Sequence, residues 1–168
     1  MMTSDDLKAT QAPLKERYRR NPETALVTLK AKGRMGEGVS CRLDTAKGPV
    51  VAGLHPATGG DGLSLCSGDL LLEALVACAG VTLSAVATAL AIPLADAELS
   101  AEGDLDFRGT LGVSKEVPVG FKAIRLNLSV KTEATSEQLE SLLKLTERYC
   151  VVYQTLRQGV PISTKLSR

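Results

Sequence analysis

The longest apolar run in the chain lies between Leu70 and Ile92, where Glu73 is the only charged residue and Pro93 supplies the stop. A helix that is apolar on every side must be wrapped by other protein or by lipid. At 23 residues the run is long enough to cross a bilayer with some tilt. Ala, Gly, Ser and Thr dilute it, however, and neither an aromatic belt nor a basic cluster bounds it, so it reads as the buried helix of a soluble protein. Ser67 or Asp69 is placed to cap its start.

Upstream of this helix the pattern changes to a period of two. Ala25, Val27, Leu29 and Ala31 share one face of a predicted strand over residues 25–32. Gly33-Arg34-Met35-Gly36-Glu37-Gly38 has a turn composition, residues 39–43 read as the returning strand, and residues 50–55 as a third, giving a three-stranded antiparallel meander. The glycines of residues 59–62 resemble a phosphate loop only superficially. No Gly-Lys-Ser/Thr follows them, and the loop reads as a flexible lead into the helix, with His55 as a turn residue.

Downstream, residues 97–107 alternate apolar and polar, and Ile124, Leu126, Leu128 and Val130 line one face of a further strand. Thr135-Ser-Glu-Gln138 has the form of a capping box, followed by Leu139, Leu142, Leu143 and Thr146 at helical spacing. Cys150 continues the buried side of that helix, three turns after Leu139. Gly159 and Pro161 end the region, and residues 162–166 read as a short closing strand. The succession is that of an α+β fold, with antiparallel sheets around a long buried central helix.

Residues 4–20 form a separate amphipathic pattern. Ser4, Asp5 and Asp6 suit a helix start and Lys15, Arg17, Arg19 and Arg20 its end. Pro13 leaves open one helix or two short ones. The organisation expected is a helical extension over residues 1–22 and an α+β domain over residues 23–168.

Composition narrows the function. Twenty Lys and Arg balance 19 Asp and Glu, so no field favours nucleic acid or an anionic membrane surface. Two Phe, three Tyr and no Trp offer no base-stacking platform. The amino terminus has neither the basic nor the apolar region of a secretion signal, so a cytoplasmic location with reduced thiols is expected. No metal or cofactor is expected, because His55 is the sole histidine and no two cysteines are close in sequence.

The four cysteines, Cys41, Cys66, Cys78 and Cys150, are separated by 25, 12 and 72 residues. The commoner role of a cysteine is that of a small buried hydrophobe. Cys78 and Cys150 stand apart, because both fall on buried faces of helices that a two-layer packing brings together. Nucleophilic chemistry requires a thiolate. Cys78 lies about 14 Å along its helix, and a macrodipole fades within the first turn. Activation is therefore expected from a cation brought by another part of the chain.

Three stretches carry a resemblance: Gly59-Gly-Asp-Gly, then Ser67-Gly-Asp-Leu-Leu-Leu-Glu-Ala-Leu-Val-Ala-Cys78-Ala-Gly-Val-Thr-Leu, then Leu145-Thr-Glu-Arg-Tyr-Cys150-Val-Val-Tyr-Gln-Thr-Leu. Together they resemble the family of osmotically inducible protein C and the organic hydroperoxide resistance proteins (OsmC/Ohr), over residues 25–166. The resemblance implies an intertwined homodimer enclosing the central helices. It also implies a peroxidase cycle in which Cys78 reduces an organic hydroperoxide and becomes a sulfenic acid. Cys150 then condenses with it to a disulfide, and an external dithiol such as a lipoylated protein restores both thiols. Arg34, in Gly-Arg-Met-Gly, matches the family's activating arginine, and Asp69, nine residues before Cys78, the acid that would hold it.

This chain departs from the pattern at two places. Gly68 stands where one branch of the family has Glu, and Val151 follows the second cysteine where the family usually has Pro. Loss of that proline is expected to remove a local helix break. Cys41 and Cys66 read as structural, with Cys66 the alternative resolving thiol. The competing readings are a small-apolar-ligand binding protein on the same fold with idle cysteines, and a redox-sensing stress protein without efficient turnover.

Overall fold

The computed structural model describes residues 2–168. In chain order the elements are α1 (Ser4–Arg20), a 3-10 turn (Pro22–Ala25), β1 (Lys32–Met35), β2 (Ser40–Thr45), β3 (Gly48–Gly53), a second 3-10 turn (Pro56–Thr58), β4 (Leu65–Cys66), α2 (Ser67–Ala89), β5 (Asp96–Asp104), α3 (Phe107–Thr110), β6 (Ala123–Lys131), α4 (Ser136–Tyr149) and α5 (Val151–Gln158). They distribute over two compact units. One comprises the chain up to Ala9 with Ala74–Leu99 and Leu128–Arg168, the other Thr10–Glu73 and Ser100–Asn127. The class is α+β, as expected.

In the unit of residues 10–73 and 100–127, β1, β2 and β3 form the antiparallel meander, with Arg34 opposite Arg42 and Met35 opposite Cys41. Its first strand lies later than the alternation predicted. Pro22 opens a 3-10 turn closed by the Thr24 hydroxyl, which donates to the Asn21 carbonyl at 2.8 Å. Residues 26–31 pair with no strand among the described residues, and Leu26 and Leu29 are 87% and 88% exposed. The turn sits at residues 36–39, where the Gly36 N–H donates to the Ser40 carbonyl and Gly38 takes φ +61°, a backbone region open chiefly to glycine. β4 joins the sheet parallel to β3, pairing Cys66 with Gly53. Two residues carry no readable period, so this strand was invisible in the sequence.

β5 and β6 are antiparallel, bonded from Ala95 N–H to Lys131 carbonyl and from Lys122 N–H to Asp104 carbonyl, each at 2.8 Å. The alternation of Ile124, Leu126, Leu128 and Val130 is kept as alternating burial along β6. The predicted closing strand over residues 162–166 is not formed, and Ile162 and Leu166 are exposed.

α2 begins directly after β4 and ends as a Schellman motif. The Ile92 N–H donates to the Ala87 carbonyl and the Ala91 N–H to the Thr88 carbonyl, with Ala91 at φ +54°. Ile92 then folds back onto Ala87 in a core shared with Leu83, Val86 and Leu142 of α4. The α4 capping box is present in full: the Thr135 hydroxyl accepts from the Gln138 N–H, and the Gln138 side chain accepts from the Thr135 N–H. α1 is one helix with Pro13 inside it, anchored near its start by the Ser4 hydroxyl, 3.4 Å from the Ala89 carbonyl.

The central helix is not enclosed by its own chain. Leu75, Ala79, Leu83, Val86 and Ala87 are buried, whereas Leu71 and Val81 face outward. Its uniform apolarity therefore exceeds what a single chain covers.

Candidate active site

Cys78 and Cys150 both belong to the unit that holds the core, Cys78 half-buried on α2 and Cys150 fully buried where α4 gives way to α5. The junction is a sharp one. α4 closes with the Cys150 N–H donating to the Thr146 carbonyl, and α5 opens with the Gln154 N–H donating to the Cys150 carbonyl, at 2.9 and 3.0 Å. Between them Cys150 is extended, with φ −72° and ψ 108°. The Gln154 side chain braces the bend by donating to the Glu147 carbonyl at 2.8 Å, an acceptor in the last turn of α4. The helix break expected to vanish with the proline is thus present without it.

The bend frees the first amides of α5, which have no partner inside their own helix. Those of Val151 and Val152 bear on the Cys78 thiol, and those of Tyr153 and Val152 on that of Cys150. Burial pushes the Cys78 thiol up, but the Val152 amide, the Cys150 thiol, the Val151 amide and the Thr82 hydroxyl together bring it below its ordinary value. Cys150 goes the other way. Burial raises it, the Tyr153 amide opposes this, and the neighbouring Cys78 raises it further. The two thiols are thus shifted in opposite directions, that of Cys78 down and that of Cys150 up.

Thr82 is one turn after Cys78, and its hydroxyl lies 2.8 Å from the Cys78 carbonyl. A hydroxyl has one hydrogen, so it serves either that carbonyl or the sulfur at a given moment.

The groups that bear on the Cys78 thiol include the first amides of a different helix, α5. The four groups that lower its pKa are two amides, a thiol and a hydroxyl, none of them a cation. Val151, Val152 and Tyr153 escaped sequence reading because Cys-Val-Val-Tyr contains no Gly or Pro to mark a bend. Thr82 was findable, being four residues after Cys78 on the same helical face.

Arg34 and Asp69 belong to the other unit. Arg34 is exposed on β1, and among the described residues no carboxylate forms an ion pair with it, Asp69 included. Asp69 is exposed in the first turn of α2, where it lines a cavity of about 330 Å³ with His55, Cys66, Gly68, Asp104 and Phe107. His55 is a turn residue as expected: its Nδ1 accepts from the Ala57 N–H at 3.0 Å and its ring stacks on Phe107 at 4.9 Å. Cys41 and Cys66 lie in β2 and β4, both half-buried. Among the described residues no group of three or more His, Cys, Asp and Glu is arranged to hold a metal.

The fold is α+β, built on a long apolar helix that carries Cys78, with a second, buried thiol, Cys150, in the same unit. The chain belongs to the OsmC-like protein family, whose model matches residues 59–165. Among solved structures it is similar to the OsmC-like protein of Mycoplasma pneumoniae, with 14% identity, a TM-score of 0.66, and coverage of 79% of this chain and 89% of that one. It is also similar to an organic hydroperoxide resistance protein of Legionella pneumophila, with 22% identity, a TM-score of 0.62, and coverage of 80% and 92%. A third, an organic hydroperoxide resistance protein of Elizabethkingia anophelis, shares 14% identity at a TM-score of 0.64, with coverage of 80% and 91%. No curated protein matches the sequence. At these identities the solved structures define the fold.

Proposed function

We propose that the protein is a thiol-dependent peroxidase that reduces organic hydroperoxides. The reading is supported by two thiols that lie in one unit and are shifted apart, that of Cys78 below its ordinary value and that of Cys150 above it. That is the division of labour a nucleophile and a resolving thiol require. The Cys78 thiolate attacks the terminal oxygen, the O–O bond breaks as the S–O bond forms, and the alkoxide leaves with the electron pair and takes up a proton to become the alcohol. Cys78 is left as a sulfenic acid, oxidised by two electrons. The Cys150 sulfur then attacks that of Cys78. The S–S bond forms, the S–O bond breaks, and the hydroxide departs as water with the proton that Cys150 gives up. An external dithiol, such as a lipoylated protein, reduces the disulfide by thiol exchange.

Arg34 and Asp69 enter this reading from the family pattern, as the cation that faces the reacting oxygens or sulfur and the carboxylate that steers it. A second copy of the chain completes the fold as a homodimer, covering the α2 side chains that its own chain leaves outward. The cycle suits the cytoplasm, where disulfides are reduced.

The test is mass spectrometry after one equivalent of cumene hydroperoxide. A Cys78–Cys150 disulfide is expected in the native protein, no oxidation at residue 78 and no turnover in Cys78→Ser, and a single oxidation trapped as sulfenic acid in Cys150→Ser. Undiminished multiple turnover in Cys78→Ser would sink the proposal.

A further inference from the structure

The bend between α4 and α5 contains no residue that forces it. Sharp breaks in a helix fall at proline, at glycine–serine pairs, at π-bulges, or where a side chain or water enters the backbone ladder. Residues 147–154 hold no proline, glycine or serine. The ladder itself shows what stands in for them. In an unbroken helix the Glu147 carbonyl would accept from the amide four residues on, that of Val151. Here the Gln154 side chain takes that acceptor, its Nε2 donating to the Glu147 carbonyl at 2.8 Å, while Cys150 is extended at φ −72° and ψ 108°. Gln158, one turn further along α5, fixes which end of the Gln154 amide does this: its Nε2 donates to the Gln154 Oε1, leaving the Gln154 Nε2 for Glu147. Gln158 is exposed and Gln154 half-buried, so the relay runs from the surface to the last turn of α4.

We propose that Gln154 is a positioning residue for the resolving step: by holding the bend at Cys150 it keeps that thiol where it meets Cys78. The inference rests on the peroxidase reading for the pairing of the two thiols, and on the hydrogen bonds at the bend for its content. Cys150 is 1% exposed, so its reach is set by the backbone that carries it. Without the Gln154 donor, the Glu147 carbonyl is open to the Val151 amide, and α4 can continue through residue 150 into α5 as one helix. Residue 150 then passes from extended to helical backbone, which redirects its side chain. The step that suffers is the one in which Cys150 attacks the Cys78 sulfur.

The experiment isolates that step with 2,2′-dithiodipyridine, which needs no hydroperoxide, in protein carrying Cys41→Ser and Cys66→Ser so that only the pair reports. The Cys78 thiolate displaces one pyridine-2-thione and keeps the other half of the reagent as a mixed disulfide. Cys150 then attacks the Cys78 sulfur, the internal disulfide forms, and the second thione leaves. The first release depends on reagent concentration, whereas the second does not and reports the attack by Cys150. Gln154→Glu keeps the length of the side chain and removes the donor. Its second release is expected to be about fivefold slower than that of the native residue, the size of one hydrogen bond. Gln154→Lys keeps an N–H donor and is expected to follow the native rate.

A second release as fast in Gln154→Glu as with the native residue overturns the proposal, and so does an equal slowing in both variants, which would assign the effect to packing. A native pair that releases no second thione overturns it as well, since Cys150 would then not reach Cys78. Should Gln154→Glu fail to fold, Gln158→Ala at the exposed end of the relay decides. A slower second release in that variant supports the proposal, and a native rate overturns it. If the two releases behave as expected while cumene hydroperoxide is not reduced, the peroxidase reading fails and the role of Gln154 at the bend stands.

Discussion

Cys78 and Cys150 begin as identical side chains and are made unequal by what surrounds them. Both are desolvated, which on its own raises a thiol's pKa. The Cys78 thiol nonetheless falls below its ordinary value, whereas burial and the neighbouring Cys78 push that of Cys150 above it. A prediction follows for the donor at position 150. Removing it with Cys150→Ala should shift the alkylation profile of Cys78 to higher pH, so that less thiolate is present at any pH below the plateau. Cys150→Ser keeps an O–H donor and should lie between that variant and the native protein. Identical profiles for the alanine variant and the native protein would mean that the Cys150 thiol does not support the Cys78 thiolate.

Among the elements, legibility depended on how many residues carry a signal. The capping box of α4 is written in Thr135 and Gln138 alone, and it formed as read, because capping is a local exchange of hydrogen bonds. The end of α2 was also local, marked by Pro93, but the residue that turns the chain is Ala91 at φ +54°. A non-glycine residue there costs about 1–2 kcal/mol. Glycine would relieve that strain and give back about 0.4–1 kcal/mol through the greater freedom of the unfolded chain. Ala91→Gly should therefore stabilise the protein by about 0.5–1 kcal/mol in urea denaturation, with an unchanged slope. A loss of stability would show that the Ala91 methyl makes contacts worth more than its strain. The α4–α5 bend had no such local mark, since it depends on Cys150 being buried and on Gln154 reaching back to Glu147.

Across the whole molecule, three groups of exposed apolar residues bear on assembly. Leu26, Val27 and Leu29 precede β1, Ile162 and Leu166 lie near the carboxyl end, and Leu71 and Val81 point outward from α2. The first two groups coincide with segments whose alternation predicts strands, yet neither segment pairs within the described residues. An unpaired segment with exposed apolar side chains is a surface open to pairing with a second copy. Light scattering coupled to size exclusion should accordingly give a homodimer in aqueous buffer. Replacing Leu26 and Leu29 together by Lys should shift it toward monomer while leaving the α4 core folded. A native protein that stays monomeric at micromolar concentration, or pellets with membranes, would remove this account of α2.

What the sequence determined by itself was whatever is decided within a few residues or along one period. That covers the α+β class, the length of the central helix, the antiparallel meander and the α4 cap. What only the tertiary structure decided was which groups meet. A thiol's pKa is set by whatever comes within hydrogen-bond reach of it, and such neighbours lie as far as 74 residues away along this chain. The sequence therefore placed Cys78 on a helix whose own dipole could not serve it. The backbone amides of α5 that bear on it are of a kind present in every residue but proline, and they carry no signature in the letters of the chain.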